Sequence, residues 1–181
     1  MENQRVRLTK ELLKQALISL LEVKKIEDIP IKELTSVAGI NRSTFYLHYK
    51  NQQELLTELE NDLLNSTVEH LANISASYTS IEIIEVFLEY IKKNKDITKV
   101  LLANNENKEF QMKMINLLLN LIQKQVPFKL KSDIAVYVYQ FLLMGSFSII
   151  TTWINLDFNI PPKELAALIF DLTESSTETF N

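Results

Sequence analysis

The chain has 181 residues, 46% apolar and 23% charged, the proportions of a globular protein with room for a sizeable core. It contains no cysteine, which excludes disulfides, Cys-ligated zinc and thiol catalysis. Its 2 glycines and 4 prolines are too few for sheets joined by tight turns and favour helices linked by short polar segments.

The net charge of −4 is unevenly spread. Residues 1–53 carry nine basic and six acidic groups (+3), residues 54–181 ten and seventeen (−7), and all three arginines fall within the first 42 positions. The field at one end is therefore compatible with a polyanion such as DNA. No secretory signal is expected, because the apolar run Ala16–Leu21 is short and follows charged residues.

In chain order, a first helix is expected from about Thr9, which would cap it. Leu12, Leu13, Ala16, Leu17, Leu20 and Leu21 follow as one apolar stripe. Pro30 suits a helix start, and the second helix is placed at Ile31–Ala38, burying Ile31, Leu34, Val37 and Ala38. Gly39 ends it by supplying a left-handed residue. Asn41 is the expected N-cap of a third helix over Arg42–Tyr49. There Phe45 and Tyr49 face the core, while Arg42, Ser43, Thr44, Tyr46 and His48 face outward. Asn51 caps a fourth helix reaching about Ala72, with a ridge of Leu55, Leu56, Leu59, Leu63 and Leu64. Because the boundary near residue 53 falls in this helical region, the two parts of the chain are expected to be mechanically connected.

Later helices are expected at about 80–94, 96–104, 107–126, 131–156 and 161–177. The uncharged run Ile134–Leu156, between Asp133 and Asp157, has the length of a membrane span. Gln140, Ser146, Ser148, Thr151, Thr152 and Asn155 interrupt it, so a buried helix or a subunit contact is expected, and no membrane. His48 and His70 lie on different predicted helices, with no neighbouring nucleophile or ligand set. Neither catalysis nor a bound metal or cofactor is expected.

The run Ala38-Gly-Ile-Asn-Arg-Ser-Thr-Phe-Tyr-Leu-His-Tyr49 resembles the recognition signature of the TetR family of transcriptional regulators, roughly A-G-V-S-x-x-T-[FL]-Y-x-[HY]-F. It follows a first amphipathic helix at the usual distance, and Leu55 stands where the family has a leucine. Gly145 and Trp153, then Pro161–Pro162, are similar to the final two helices of many members. The resemblance implies an all-α fold of about nine helices, with a helix-turn-helix domain over 1–53 and a ligand-sensing, dimerising domain over 54–181. It also implies a cytoplasmic homodimer, a repressor, that binds a palindromic operator in double-stranded DNA and answers to a small-molecule effector.

Carried over by position, Arg42, Ser43 and Thr44 match the base- and phosphate-contacting face, and Tyr46 and His48 match residues that touch the DNA backbone. Asn41 and Lys50 flank them, Thr9 is within reach of a phosphate, and Arg5 and Arg7 form a short basic arm. Two positions depart from the family: Pro30, where a phosphate-donating Ser or Thr is common, and Gln52, where a lysine is common. They keep open a second reading, a coactivator or antirepressor that acts through a protein partner without its own operator. The resemblance further implies a dimer contact through the last two helices, by Val138, Leu142, Gly145, Ile149 and Trp153 on one and Leu165, Leu168, Ile169 and Leu172 on the other. It implies a ligand pocket among Phe87, Tyr90, Phe110, Met114, Tyr137, Phe141 and Met144, although such side chains also serve as plain core.

Overall fold

A computed structural model describes residues 4–72, 78–103, 107–125 and 135–178. Among these residues all regular structure is helical. The elements are α1 (Gln4–Leu21), a 3-10 turn (Ile26–Asp28), α2 (Ile31–Ala38), α3 (Arg42–Tyr46), α4 (Gln52–Ala72), α5 (Ser80–Lys93), α6 (Lys95–Leu102), α7 (Lys108–Gln125), α8 (Ala135–Asn155) and α9 (Pro162–Glu178). The chain divides into two compact units, Met1–Asn65 and Ser66–Asn181, and α4 runs through the division.

In the first unit α1 packs on α2 and α2 on α3. Leu13, Leu17, Ile29, Leu34, Phe45 and Leu55 are fully enclosed, each contributing roughly 1.5–3 kcal/mol of hydrophobic stabilisation. Helix α1 starts at Gln4, so Thr9 is an interior residue and not a cap; its hydroxyl donates back to the Arg5 carbonyl at 2.9 Å. Leu12 is exposed and Leu21 half-buried, so the buried stripe is narrower than the sequence implies. On α2, Val37 is 53% exposed and not part of the core. Leu34 and Ala38 form the i, i+4 pair that is buried, and Val37 projects to the side of that line.

The end of α2 is a Schellman turn. Gly39 is left-handed (φ 66°, ψ 28°), its N–H donates to Ser36 at 3.2 Å, and the Ile40 N–H donates to Thr35 at 2.9 Å. This turn fixes the direction in which the chain enters α3. The helix is shorter than expected, ending at Tyr46. Asn41 holds the capping position through its backbone alone, its carbonyl accepting from the Phe45 N–H at 3.1 Å, with no side-chain cap. Asn51 caps α4 as its residue type predicts. Its Oδ1 accepts from the Glu54 N–H at 2.9 Å, and the Glu54 carboxylate accepts from the Lys50 N–H at 2.7 Å.

In the second unit the most extensive packing is α5 on α9, and α8 touches α6, α7 and α9. A capping box of Thr79 and Glu82 starts α5. The buried Thr98 hydroxyl reaches the Ile91 carbonyl at 3.2 Å and joins α6 to α5. A second Schellman turn ends α8, with the Asp157 N–H on Ile154 at 3.1 Å and the Phe158 N–H on Trp153 at 2.9 Å. Asp157 (φ 54°) and Phe158 (φ 59°) are left-handed without being glycine, at roughly 1–2 kcal/mol each. That strain is offset locally. Phe158 packs edge-to-face on Trp153 at 4.9 Å, and the Trp153 indole N–H donates to the Ile160 carbonyl at 2.9 Å. The chain then enters α9 behind Pro161, whose carbonyl accepts from Glu164 and Leu165.

Candidate nucleic-acid interface

Helix α3 is short, and its two faces differ in character. Phe45 and Tyr49 are buried, their ring centroids 5.7 Å apart, and anchor the helix from below. On the other side Asn41, Arg42, Ser43 and Tyr46 are exposed and Thr44 and His48 half-buried. Tyr46 is 58% exposed, its ring edge-to-face against Phe45 at 5.6 Å. Lys50 is exposed at the entry to α4, and Arg5 and Arg7 are exposed on the first turns of α1. Exposed donors and a cation thus lie along a short helix seated by Phe45 and Tyr49.

Behind this surface lies a charge cluster that the sequence reading missed. The Lys14 ammonium, on α1, is 2.9 Å from Glu58 on α4 and also bonds Asp62, while Lys10 is 3.3 Å from Glu58. The Lys10 ammonium also lies 5.8 Å from the Tyr49 ring centroid. Burial opposes the charge on Lys14, but its bonds to Asp62 and Glu58 outweigh that and hold the ammonium above its ordinary pKa. Burial likewise opposes the charge on Glu58, and Lys14 and Lys10 outweigh it, holding that carboxyl below the usual range. The Tyr49 hydroxyl is buried without a hydrogen-bond partner, and burial followed by the Glu58 charge pushes the phenol well up. The cluster backs the α3 anchor through Lys10 and the Tyr49 ring; Lys14 is buried, Lys10 and Glu58 are half-buried and Asp62 is exposed. Its α1 and α4 members lie 44 to 48 positions apart, so only an i, i+4 pattern of Glu58 and Asp62 facing Lys10 and Lys14 hinted at it.

The residues expected to line a ligand pocket fall into two groups. Phe87, Phe110 and Met114 are buried in the second unit. Tyr90 is half-buried, its hydroxyl 2.6 Å from the Ser66 hydroxyl and its ring stacked on His70 at 4.7 Å. Tyr137 (73% exposed), Phe141 (71%) and Met144 are not brought to that interior; they lie along one exposed stripe of α8.

The expected dimer residues divide as well. Trp153, Leu165 and Ile169 are already buried in their own chain. Val138, Leu142, Gly145 and Ile149 are half-buried, and Leu168 and Leu172 are exposed on α9. Val136–Asn155 is long and apolar enough to cross a membrane, and only 17% of its most apolar stretch is buried within the chain. Among the described residues no group of three or more His, Asp or Glu is arranged to hold a metal ion.

A helix-turn-helix in the first unit and a second helical unit, with only helices among the described residues, is the architecture of a one-component transcriptional regulator. Residues 78–175 match the TetR model described as a transcriptional regulator C-terminal region. The chain belongs to the TetR family of transcriptional regulators. Its fold is similar to that of a TetR transcriptional regulator from Streptococcus agalactiae 2603V (TM-score 0.73, 24% identity, covering 94% of this chain and 96% of that one). It is also similar to the regulator FadR from Bacillus subtilis in complex with stearoyl-CoA (TM-score 0.65, 16% identity, 92% and 98% covered). A third similar structure is the dihydroxyacetone kinase operon activator DhaS (TM-score 0.63, 20% identity, 96% and 98% covered). At these identities the likeness speaks to the fold alone. No curated protein sequence matches the chain.

Proposed function

We propose that this regulator binds a palindromic operator as a homodimer through α3 and represses transcription, and that a small-molecule effector releases it. The observation that carries the reading is the polarity of α3: Phe45 and Tyr49 are locked inside while Arg42, Ser43 and Tyr46 stand exposed beside Lys50. Such a helix presents both donors and a cation to base edges and phosphates. One copy buries too little surface for specific operator affinity, so two copies related by a two-fold axis are required. The contact is assigned to the exposed stripe of α8 (Tyr137, Phe141, Met144) together with Leu168 and Leu172 of α9. A second copy covering these residues removes the apolar surface that a lone chain leaves in water. This also accounts for the length and hydropathy of α8 without a membrane.

The effector is assigned to the second unit, near Phe87, Tyr90, Phe110 and Met114. The FadR neighbour was solved with stearoyl-CoA, and an apolar or acyl ligand is chemically compatible with those side chains. Helix α4 belongs to both units, so a ligand that favours one setting of α4 shifts the spacing of the two recognition helices. The coupling is then reciprocal, operator weakening effector and effector weakening operator.

A second reading, partner-dependent action without an operator, is favoured by one observation. Pro30 precedes α2 with no N–H and no side-chain donor for a phosphate. A neighbour named as an operon activator also leaves the sign of regulation open to activation. Selecting bound DNA from a random pool with the full chain separates these readings. Recovery of a palindrome, bound less tightly as salt rises, supports operator binding, and recovery of no consensus sequence supports the partner-dependent reading.

A further inference from the structure

Leu47 is 79% exposed, the most exposed large apolar side chain among the described residues. An isolated surface leucine needs no explanation. This one has a specific setting. Its backbone is still right-handed helical (φ −73°, ψ −20°), so it continues the α3 spiral by one position. Ser43, Tyr46 and Leu47 therefore stand at i, i+3 and i+4, one contiguous face, opposite the buried Phe45. The anchors Phe45 and Tyr49 flank Leu47 in sequence and hold this face outward. A leucine has no hydrogen-bonding group and gains nothing from a phosphate. Of the features displayed in a major groove, the one that an aliphatic side chain recognises is the thymine 5-methyl group.

We propose that Leu47 is a specificity-determining residue that packs on a thymine methyl in each operator half-site. This rests on the operator-binding reading above and adds to it an apolar element of base choice, beside the polar contacts assigned to Arg42 and Ser43.

The test uses full-length protein and the operator recovered from a random pool. Each thymine is replaced in turn by deoxyuridine, which deletes only the methyl group. Affinities of the wild type and of Leu47→Ala are then compared, with circular dichroism to check that the variant is folded. Burying one methyl is worth a factor of about four in affinity, so deoxyuridine at one thymine per half-site weakens wild-type binding roughly fourfold, and about fifteenfold when both half-sites are changed. Leu47→Ala weakens binding to the thymine operator comparably and becomes indifferent to the same replacement. Three results overturn the inference while leaving operator binding intact: wild-type affinity in Leu47→Ala, an equal loss on thymine and deoxyuridine operators, or no thymine whose methyl matters. If the wild-type protein binds no recovered DNA, the operator-binding reading falls, and this inference with it.

Discussion

The Lys14 ammonium and the Glu58 carboxylate meet at 2.9 Å, joining the first helix of the chain to the fourth directly beneath the anchor of α3. Lys14 is 8% exposed as a residue, so the contact is shielded more than an ordinary surface ion pair. Glu58 also takes Lys10, and the group behaves as a network across α1 and α4.

Replacing Glu58 with Gln leaves Lys14 with Asp62 and the more distant Glu11 at 4.0 Å, and removes one partner of Lys10. Discounting the value of a buried pair for the partial exposure of Glu58, the expected loss is about 1–2 kcal/mol. Thermal melting of the full chain measures it, and an unchanged midpoint would show the cluster to be inert.

The same network predicts a pH profile. Glu58 has a folded pKa below its ordinary 4.5, so its contribution is full above 4.5 and is lost as pH falls through the lowered folded value. Lys14 has a folded pKa above 10.5, so its contribution is full below 10.5 and is lost as pH rises through the raised value. In Glu58→Gln the acid limb of a stability-against-pH curve should flatten, while the plateau between the limbs keeps its shape.

Gly39→Ala tests the turn that aims α3. A Cβ at this position meets no atom within 4 Å, so the only penalty is the left-handed backbone, roughly 1–2 kcal/mol. Gly39→Asn, with a residue that tolerates this conformation, should lose less. Chemical denaturation of the three proteins orders them Gly, Asn, Ala, and any other order refutes the assignment of strain.

For the proposed subunit contact, Phe141→Glu and Leu168→Glu each place a carboxylate on an exposed apolar stripe. Neither side chain is core in its own chain, so both variants stay helical. Analytical ultracentrifugation should find them at half the mass of the wild-type assembly, with operator affinity lost in parallel. A variant that stays dimeric removes its residue from the contact.

Arg42→Ala examines the groove assignment. The variant should bind operator more weakly. If the guanidinium reaches a phosphate, the slope of log affinity against log salt falls by about one, whereas a base contact relaxes specificity at one position. Full wild-type affinity across the salt series would move the interface away from α3.

The helix-turn-helix was legible because its signals are local. Pro30, Gly39 and Asn51 each act on the backbone within a few residues, and they placed α2, its turn and the cap of α4 correctly. The inward pair Phe45 and Tyr49 followed from helical spacing alone. Asn41 was misread because a residue suited to capping by its side chain caps here only through its carbonyl. Thr9 was misread for a related reason. Its hydroxyl suits a cap or a bond back along the helix equally well, and only the extension of α1 to Gln4 selects the second.

The helical class, the order of elements and the outward face of α3 could therefore be read before folding, since periodicity, capping and turn chemistry are written in neighbouring residues. Tertiary structure alone decided which apolar residues of α8 and α9 are interior. Both helices carry apolar side chains over so much of their surface that spacing cannot separate Trp153, Leu165 and Ile169, which are buried, from Tyr137, Phe141 and Leu168, which are exposed. It also decided the meeting of Lys14 with Glu58, because a charge finds a partner 44 positions away only after the chain has folded.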